Sequence, residues 1–366
     1  MNDQHEAQKL DRALAIGPVS DGMWRWRSAA EAPFLLTGLP WFKQDGVYRR
    51  LPVKPAYPIR AEVDRLANYP TGAQIRFRTD SPKLSVNVEL AGPAGMYQMS
   101  PLVQCGIDCY IGPVGDQRYI ATTKFDQAAT AYESMLFEAK GNDMKDITLY
   151  LPLYQGVKAI HIGVDPDASM ITFPGFASTK RVIVYGTSIV HGACASRPGM
   201  AYPNMMSRRL PLEFISLAFS GNAQGEPELA HLIAEIPEPG LLVLDYEGNT
   251  PSTERLAESL PAFISIYRTV HPDVPILVIS QIRFGKEVFE KQSRLEREKR
   301  LRLQQEIVER FRSEGDRNVH FVSGADLLGD DYGECSADSI HPNDLGFRRM
   351  SDKLQPVFER LLQPLL

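Results

Sequence analysis

Ser188, Asp338 and His341 are the residues whose types and placement can do chemistry. Ser188 ends Gly186-Thr-Ser, just beyond the apolar run Val182–Tyr185, and Asp338 and His341 share the turn Asp338-Ser-Ile-His341 far downstream. A serine hydroxyl is a poor nucleophile until a base takes its proton. An imidazole is such a base, and a carboxylate orients it and stabilises its charged form. These are the parts of nucleophilic acyl transfer through a covalent intermediate. The tetrahedral intermediate of that chemistry carries an oxyanion that needs fixed donors about 2.7–3.1 Å away. The backbone amides of Ser188 and Gly221 and the side-chain amide of Asn249 are the expected donors. Gly221 suits the role because, without a Cβ, it lets backbone approach substrate closely.

Positioning these groups falls to the second half of the chain. Short, nearly continuous apolar runs recur there at Val182–Tyr185, Phe214–Ala218, Leu241–Leu244, Ile276–Ile279 and Val319–Val322. Helical spacing fills the gaps between them. Leu303, Ile307, Val308 and Phe311 occupy one arc, as do Leu256, Leu260, Phe263, Ile264 and Tyr267, with Pro261 marking a helix start or a kink. Strands alternating with helices imply a parallel sheet covered on both faces. Ligands collect at the carboxyl ends of such strands, where Ser188, Gly221, Asn249, Asp338 and His341 all fall.

The first half has a different period. Ala73–Thr79 and Leu84–Leu90 alternate apolar with polar around Asp80-Ser-Pro, which predicts a half-buried hairpin. Gln104–Ile111, Tyr119–Thr123, Ser134–Glu138, Asp146–Leu151 and Ala159–Val164 are further strands, and together they predict an antiparallel sandwich. The segment holding Trp24, Trp26 and Trp41 has no clear assignment. Pro, Gly and Ser break both patterns near Ile171–Lys180, so the expected division is a β-sandwich over residues 1–175 and an α/β layer over 176–366.

The bulk composition narrows the function. With 43% hydrophobic and 23% charged residues the chain reads as an ordinary soluble globular protein. A formal net charge of −5 leaves no basic footprint for nucleic acid. No apolar run is long enough to cross a bilayer, and the first twenty residues are polar where a signal peptide needs its apolar stretch, so no membrane partner and a cytoplasmic location are expected. Cys105, Cys109, Cys194 and Cys335 lack zinc spacing and read as buried free thiols; no metal is expected.

Gly186-Thr-Ser188, Gly221-Asn, Gly248-Asn249 and Asp338-x-x-His341-Pro resemble, in order, the four blocks of the SGNH (GDSL-type) hydrolases. Gly106-Ile-Asp108-Cys-Tyr110 resembles the "GxDLY" motif in the first domain of a bacterial GDSL-like lipase/acylhydrolase subgroup. The resemblance spans roughly residues 20–360. It implies a jelly-roll-like domain joined to a flavodoxin-like α/β/α SGNH domain with a five-stranded parallel sheet, and ester hydrolysis without a cofactor. Thr187 stands where the GDS form has an acid, Cys109 where GxDLY has Leu, and Thr250 where many relatives have Asp after the Asn.

The expected function is therefore a serine esterase acting on short-chain esters, acetyl foremost, of a small molecule or an oligosaccharide. The sugar preference is a fold-level analogy. The alternatives are a general short-chain esterase or lipase-like acylhydrolase, and a carbohydrate-binding protein with a relic hydrolase domain. Self-association into a homo-oligomer stays open. Individual residues also have plainer readings. Ser188 and Asp338 suit helix caps, Gly221 a tight turn, Asn249 a cap, and His191 simple packing. Arg197 either meets a substrate oxygen or forms a structural salt link. Asp108 and Tyr110 either hold the sandwich together or shape the substrate pocket at the domain interface.

Overall fold

A computed structural model describes residues 23–365; the polar N-terminal stretch discussed above lies outside the described residues. In chain order the strands are β1 Arg25–Ser28, β2 Leu35–Thr37, β3 Gln74–Thr79, β4 Lys83–Leu90, β5 Asp108–Ile111, β6 Arg118–Thr122, β7 Ala131–Glu138, β8 Lys145–Tyr150, β9 Val157–Val164, β10 Met170–Thr172, β11 Arg181–Gly186, β12 Glu213–Ala218, β13 Pro239–Asp245, β14 Ile276–Ile279 and β15 Val319–Val322. The first ten make two antiparallel sheets, one ordered β1-β9-β4-β7 and the other β10-β3-β8-β5-β6 with β2 on β3.

On β4 and β9 the alternation is clear: Val86, Val88, Ile160 and Ile162 are buried while Asn87, Glu89 and His161 face outward. The two sheets enclose one core that includes Ile75, Phe77, Val86, Leu149 and Ile162. Trp26 belongs to β1, and its ring lies over Gly163 on β9, where a Cβ would come within 2.7 Å of it.

Three expectations about this half are corrected. β3 and β4 do not form a hairpin, because they belong to different sheets. Alternation identifies a strand, but it does not choose the partner, and here Asp80-Ser-Pro carries the chain across the sandwich. Nor is β3 half-exposed. Its polar face, with Gln74 and Arg76 buried, covers the second domain, and Gln74 donates to Ser207 Oγ at 3.0 Å. The region from Gln104 is likewise not all strand. Pro101–Cys105 is a short helix capped by the Ser100 hydroxyl, and β5 starts at Asp108.

The second half is a five-stranded, all-parallel sheet ordered β12-β11-β13-β14-β15. Successive residues point to opposite layers. Val182, Val184, Leu241 and Val243 pack with the helices Tyr202–Arg209 and Asp344–Leu362. Ile183, Tyr185, Leu242 and Leu244 pack with Pro227–Ala234, Thr253–Val270 and Lys291–Ser313. Pro261 lies inside Thr253–Val270, whose start is set instead by the Ser252 hydroxyl accepting from the Arg255 amide. No described helix is long and apolar enough to cross a membrane.

The halves share cores. Leu51, Val63, Leu66 and Ala67, from the excursion between β2 and β3, are buried with Ile183 and Phe219. Met99, Val103, Leu153 and Tyr154 are buried with Val184 and Ile189.

Candidate active site

The strand order reverses at β11, between β12 and β13, and a crevice opens at such a reversal. Gly186 at the end of β11 lies opposite Ala218 of β12 and Asp245 of β13. The three loops that follow therefore start side by side, and they carry Ser188, Ser220–Gly221 and Gly248–Asn249. Gly186 is required for the turn, since a Cβ there would come within 2.3 Å of Val190 Cγ2 and 2.4 Å of the Asp245 carbonyl. Thr187 is extended and its hydroxyl caps the short helix Ser188–His191.

Ser188 Oγ is 2.9 Å from His341 Nε2, and His341 Nδ1 is 2.7 Å from Asp338 Oδ2. A carboxylate only accepts, so Nδ1 carries the hydrogen, Nε2 keeps its lone pair, and the Ser188 hydroxyl donates to it. Asp338 is fixed in turn by the amides of Ile340 and His341, which donate to Oδ1 at 3.1 and 2.7 Å. Partial burial works to raise the Asp338 carboxyl, but the amide and imidazole of His341 prevail and hold it below the usual carboxylate range. The turn needs Ser339 in the left-handed region at φ 71°, and the Gly285 amide secures it by donating to the Ser339 carbonyl at 2.7 Å.

These groups open onto a cleft of about 420 Å³ whose wall includes Gly221 and Asn249. Gly221 has φ +70°, a conformation glycine adopts without strain. Asn249 accepts the Ala223 amide on its Oδ1 at 3.4 Å, which leaves its NH₂ group as the donor toward the cleft. The structure thus brings Ser188, Asp338, His341, Gly221 and Asn249 together.

Arg197, Asp108 and Tyr110 do not line this cleft. Arg197 Nη1 donates to Asp108 Oδ2 and to Tyr110 Oη, each at 2.7 Å. Asp108 also accepts the Gly199 amide at 2.7 Å and the Thr122 hydroxyl at 2.6 Å. Burial works against the Arg197 charge, but the adjoining Asp108 carboxylate prevails and holds the guanidinium protonated. Of the two readings held for these residues, the structure displays the salt link and not the contact with the cleft: an ion pair ties the sandwich to the loop following the nucleophile helix. The reason is geometric: β5 places Asp108 and Tyr110 on the face that meets that loop.

Several residues that line the cleft carried no signal in the sequence. Met96, Gln98, Met99 and Tyr154 come from the sandwich, and Phe284 from the loop after β14. The 95–99 loop is held by Gln104, which accepts the Gly95 and Met96 amides at 2.9 Å and donates to the Met99 carbonyl at 2.8 Å. That loop displays Tyr97, 99% exposed, between Met96 and Gln98 of the cleft wall, and Tyr97 itself lines a neighbouring groove with Pro93 and Gln127. His191 is fully buried, with its ring nitrogens bonded to the Leu153 carbonyl and the Ser220 hydroxyl. Among the described residues, Cys194 joins Asp338 and His341 in the one group whose ligand-type atoms, three in all, lie within 4.8 Å of one another. Burial and the Asp338 carboxylate push the Cys194 thiol up to about 11, so beside the charged triad it stands as a neutral thiol.

Comparison with known proteins agrees with this architecture. Residues 179–359 match the GDSL-like lipase/acylhydrolase family, and residues 24–170 match GxDLY, the N-terminus of SGNH-hydrolase-type esterases. The structure assigned as a GDSL-like lipase from Bacteroides ovatus ATCC 8483 is 30% identical, covers 93% of this chain and 98% of its own, and superposes with a TM-score of 0.85. Salicylyl-acyltransferase SsfX3 from a tetracycline biosynthetic pathway shares the fold at 21% identity, with coverage of 92% and 97% and a TM-score of 0.76. A family two carbohydrate esterase from Cellvibrio japonicus shares it at 13% identity, with coverage of 94% and 99% and a TM-score of 0.60. A search of curated proteins finds no match. With both halves matched in order and one near-full-length relative at that identity, the chain belongs to the SGNH (GDSL-like) hydrolase family and is a carboxylic ester hydrolase.

Proposed function

We propose that this esterase removes short acyl groups, acetyl foremost, from carbohydrate esters by a Ser188–His341–Asp338 triad. The observation that carries the reading is the unbroken hydrogen-bond chain from Ser188 Oγ through His341 to Asp338. His341 Nε2 takes the Ser188 proton as Oγ attacks the ester carbonyl carbon. The carbonyl π electrons move to oxygen, and that oxyanion is received by the amides of Ser188 and Gly221 and the Asn249 side chain. His341 then returns the proton to the departing alcohol as the C–O bond breaks. Water, deprotonated by His341, clears the acyl-enzyme by the same route and releases the acid and free Ser188.

The substrate class draws on two further observations. Met99, Ile189 and Ala193 give the cleft an apolar wall suited to a small acyl group. Tyr97, exposed on a loop ordered by Gln104 between the cleft residues Met96 and Gln98, offers an aromatic ring to a sugar that extends from the cleft into the neighbouring groove. Fold likeness to family two carbohydrate esterases points the same way. The test is turnover of p-nitrophenyl esters of increasing chain length and of acetylated oligosaccharides by the wild type and Ser188→Ala. Acetate release from the sugars, a decline with chain length, and loss of turnover in the variant are expected. Equal turnover by Ser188→Ala overturns the mechanism, and preference for long-chain esters overturns the substrate class.

A further inference from the structure

His191 lies against the nucleophile loop with both ring nitrogens engaged. Nε2 is 2.6 Å from the Leu153 carbonyl oxygen and Nδ1 is 3.0 Å from Ser220 Oγ. A carbonyl oxygen only accepts, so Nε2 carries the hydrogen and Nδ1 keeps its lone pair. Ser220 Oγ–H therefore donates to Nδ1. The Ser220 oxygen then accepts from the Tyr154 hydroxyl, 2.8 Å away, in preference to the Ser188 carbonyl at 3.5 Å. One carbonyl thus fixes the direction of the whole chain of bonds.

The ring is held neutral as this requires. Burial disfavours a second proton, and the buried guanidinium of Arg50 adds to the effect. Arg50 donates to the carbonyls of Leu66, Tyr69 and Ala218, the last of these at the end of β12. The Tyr154 ring stacks on the imidazole with centroids 4.1 Å apart and planes 14° apart.

Ser220 immediately precedes Gly221, and the peptide between them carries the N–H assigned above to the oxyanion. Its side chain is clamped by one residue from each domain: Tyr154 follows β8 of the sandwich, and His191 ends the nucleophile helix. We propose that Tyr154 is a positioning residue of the reaction, holding the Ser220–Gly221 peptide in its oxyanion-binding orientation through the Tyr154–Ser220–His191 chain. The sandwich domain then takes part in transition-state stabilisation without touching the reacting atoms. This inference rests on the reading of Ser188 as nucleophile and Gly221 as donor.

Tyr154→Phe is the cleanest perturbation, since it keeps the stack on His191 and removes the hydroxyl that bonds Ser220 at 2.8 Å, with only the marginal 3.5 Å contact to the Ser188 carbonyl lost beside it. Its kcat and KM are measured on p-nitrophenyl acetate and on the matching thionoester, beside Ser220→Ala, the double variant and Ser188→Ala. The expected result for Tyr154→Phe is a fall in kcat of about tenfold with little change in KM. The thionoester places its developing charge on sulfur, a weak acceptor, so there the loss shrinks to about twofold. Ser220→Ala loses a similar factor, and the double variant loses no more than either single one. An unchanged kcat in Tyr154→Phe, or an equal loss on both substrates, with Ser188→Ala inert, overturns the positioning role and leaves the nucleophile assignment intact. Full turnover by Ser188→Ala overturns both.

Discussion

Replacing Arg197 by methionine tests what holds the two domains in register beside the nucleophile. Asp108 is wholly buried and receives Arg197 and the Gly199 amide at 2.7 Å each, with Thr122 at 2.6 Å. Removing one member of a buried ion pair strands the other, at a cost of about 3–5 kcal/mol. Thr122 and Gly199 still serve the carboxylate, which sets the expectation at about 3 kcal/mol. In a chain of 366 residues that corresponds to a fall in Tm of roughly 4 °C. Urea unfolding of Arg197→Met, Asp108→Asn and the double variant closes a cycle, with an expected coupling of about 2 kcal/mol, against about 0.5 for an exposed pair. Since neither residue lines the cleft, KM on a small ester stays within about twofold, while kcat falls several-fold as the loop after the nucleophile helix loosens. A coupling below about 0.5 kcal/mol refutes the anchoring argument. A large rise in KM with native stability refutes it differently, because the guanidinium would then be meeting substrate.

Three further outcomes follow from the same geometry. Asp338→Asn makes the carboxylate an amide and favours the wrong His341 tautomer, so kcat drops by about 10³–10⁴ with the fold intact, read by ester turnover beside circular dichroism. Burial raises the Asp245 carboxyl to about 7, against the pull of the Tyr202 hydroxyl, which donates to it at 2.9 Å. Between the ordinary carboxylate pKa and about 7 the folded state holds a proton that the unfolded state has lost, so this group's contribution is full at low pH and declines as pH rises through that window. Asp245→Asn keeps the bond from Tyr202 and removes this decline, so its Tm relative to wild type is higher at pH 8 than at pH 5, and an equal difference at the two pH values contradicts this. Tyr97→Ala raises KM several-fold for acetylated oligosaccharides and less for p-nitrophenyl acetate, whereas equal effects on both remove the sugar-stacking role.

The parallel sheet was legible because its strands are buried on both faces. Val182–Tyr185, Leu241–Leu244 and Ile276–Ile279 read as apolar runs for that reason, and the residues with chemistry sit just past their carboxyl ends. Pairing in the sandwich was less legible. Arg76 and Gln74 look like solvent-facing residues of a hairpin strand, yet they are covered by the second domain, and covering is a tertiary event that a period of two does not encode. The destination of Arg197 depended on a partner 89 residues away, so both of its readings stood until the fold chose one. Met96, Met99 and Tyr154 reach the cleft from loops whose path is set by sheet packing, and nothing in their local sequence marks them.

The excursion between β2 and β3 determines how the chain can be divided. Leu51, Val63, Leu66 and Ala67 leave the sandwich in mid-sequence and fill one side of the catalytic layer beside Ile183, Ile215 and Phe219. A fragment beginning at β11 would expose that apolar surface to water, and a fragment ending at β10 would carry an orphaned helix. The two halves are therefore not interchangeable modules. Shuffling another β-sandwich onto this hydrolase, or truncating toward a minimal enzyme, has to bring residues 42–70 along as part of the catalytic body.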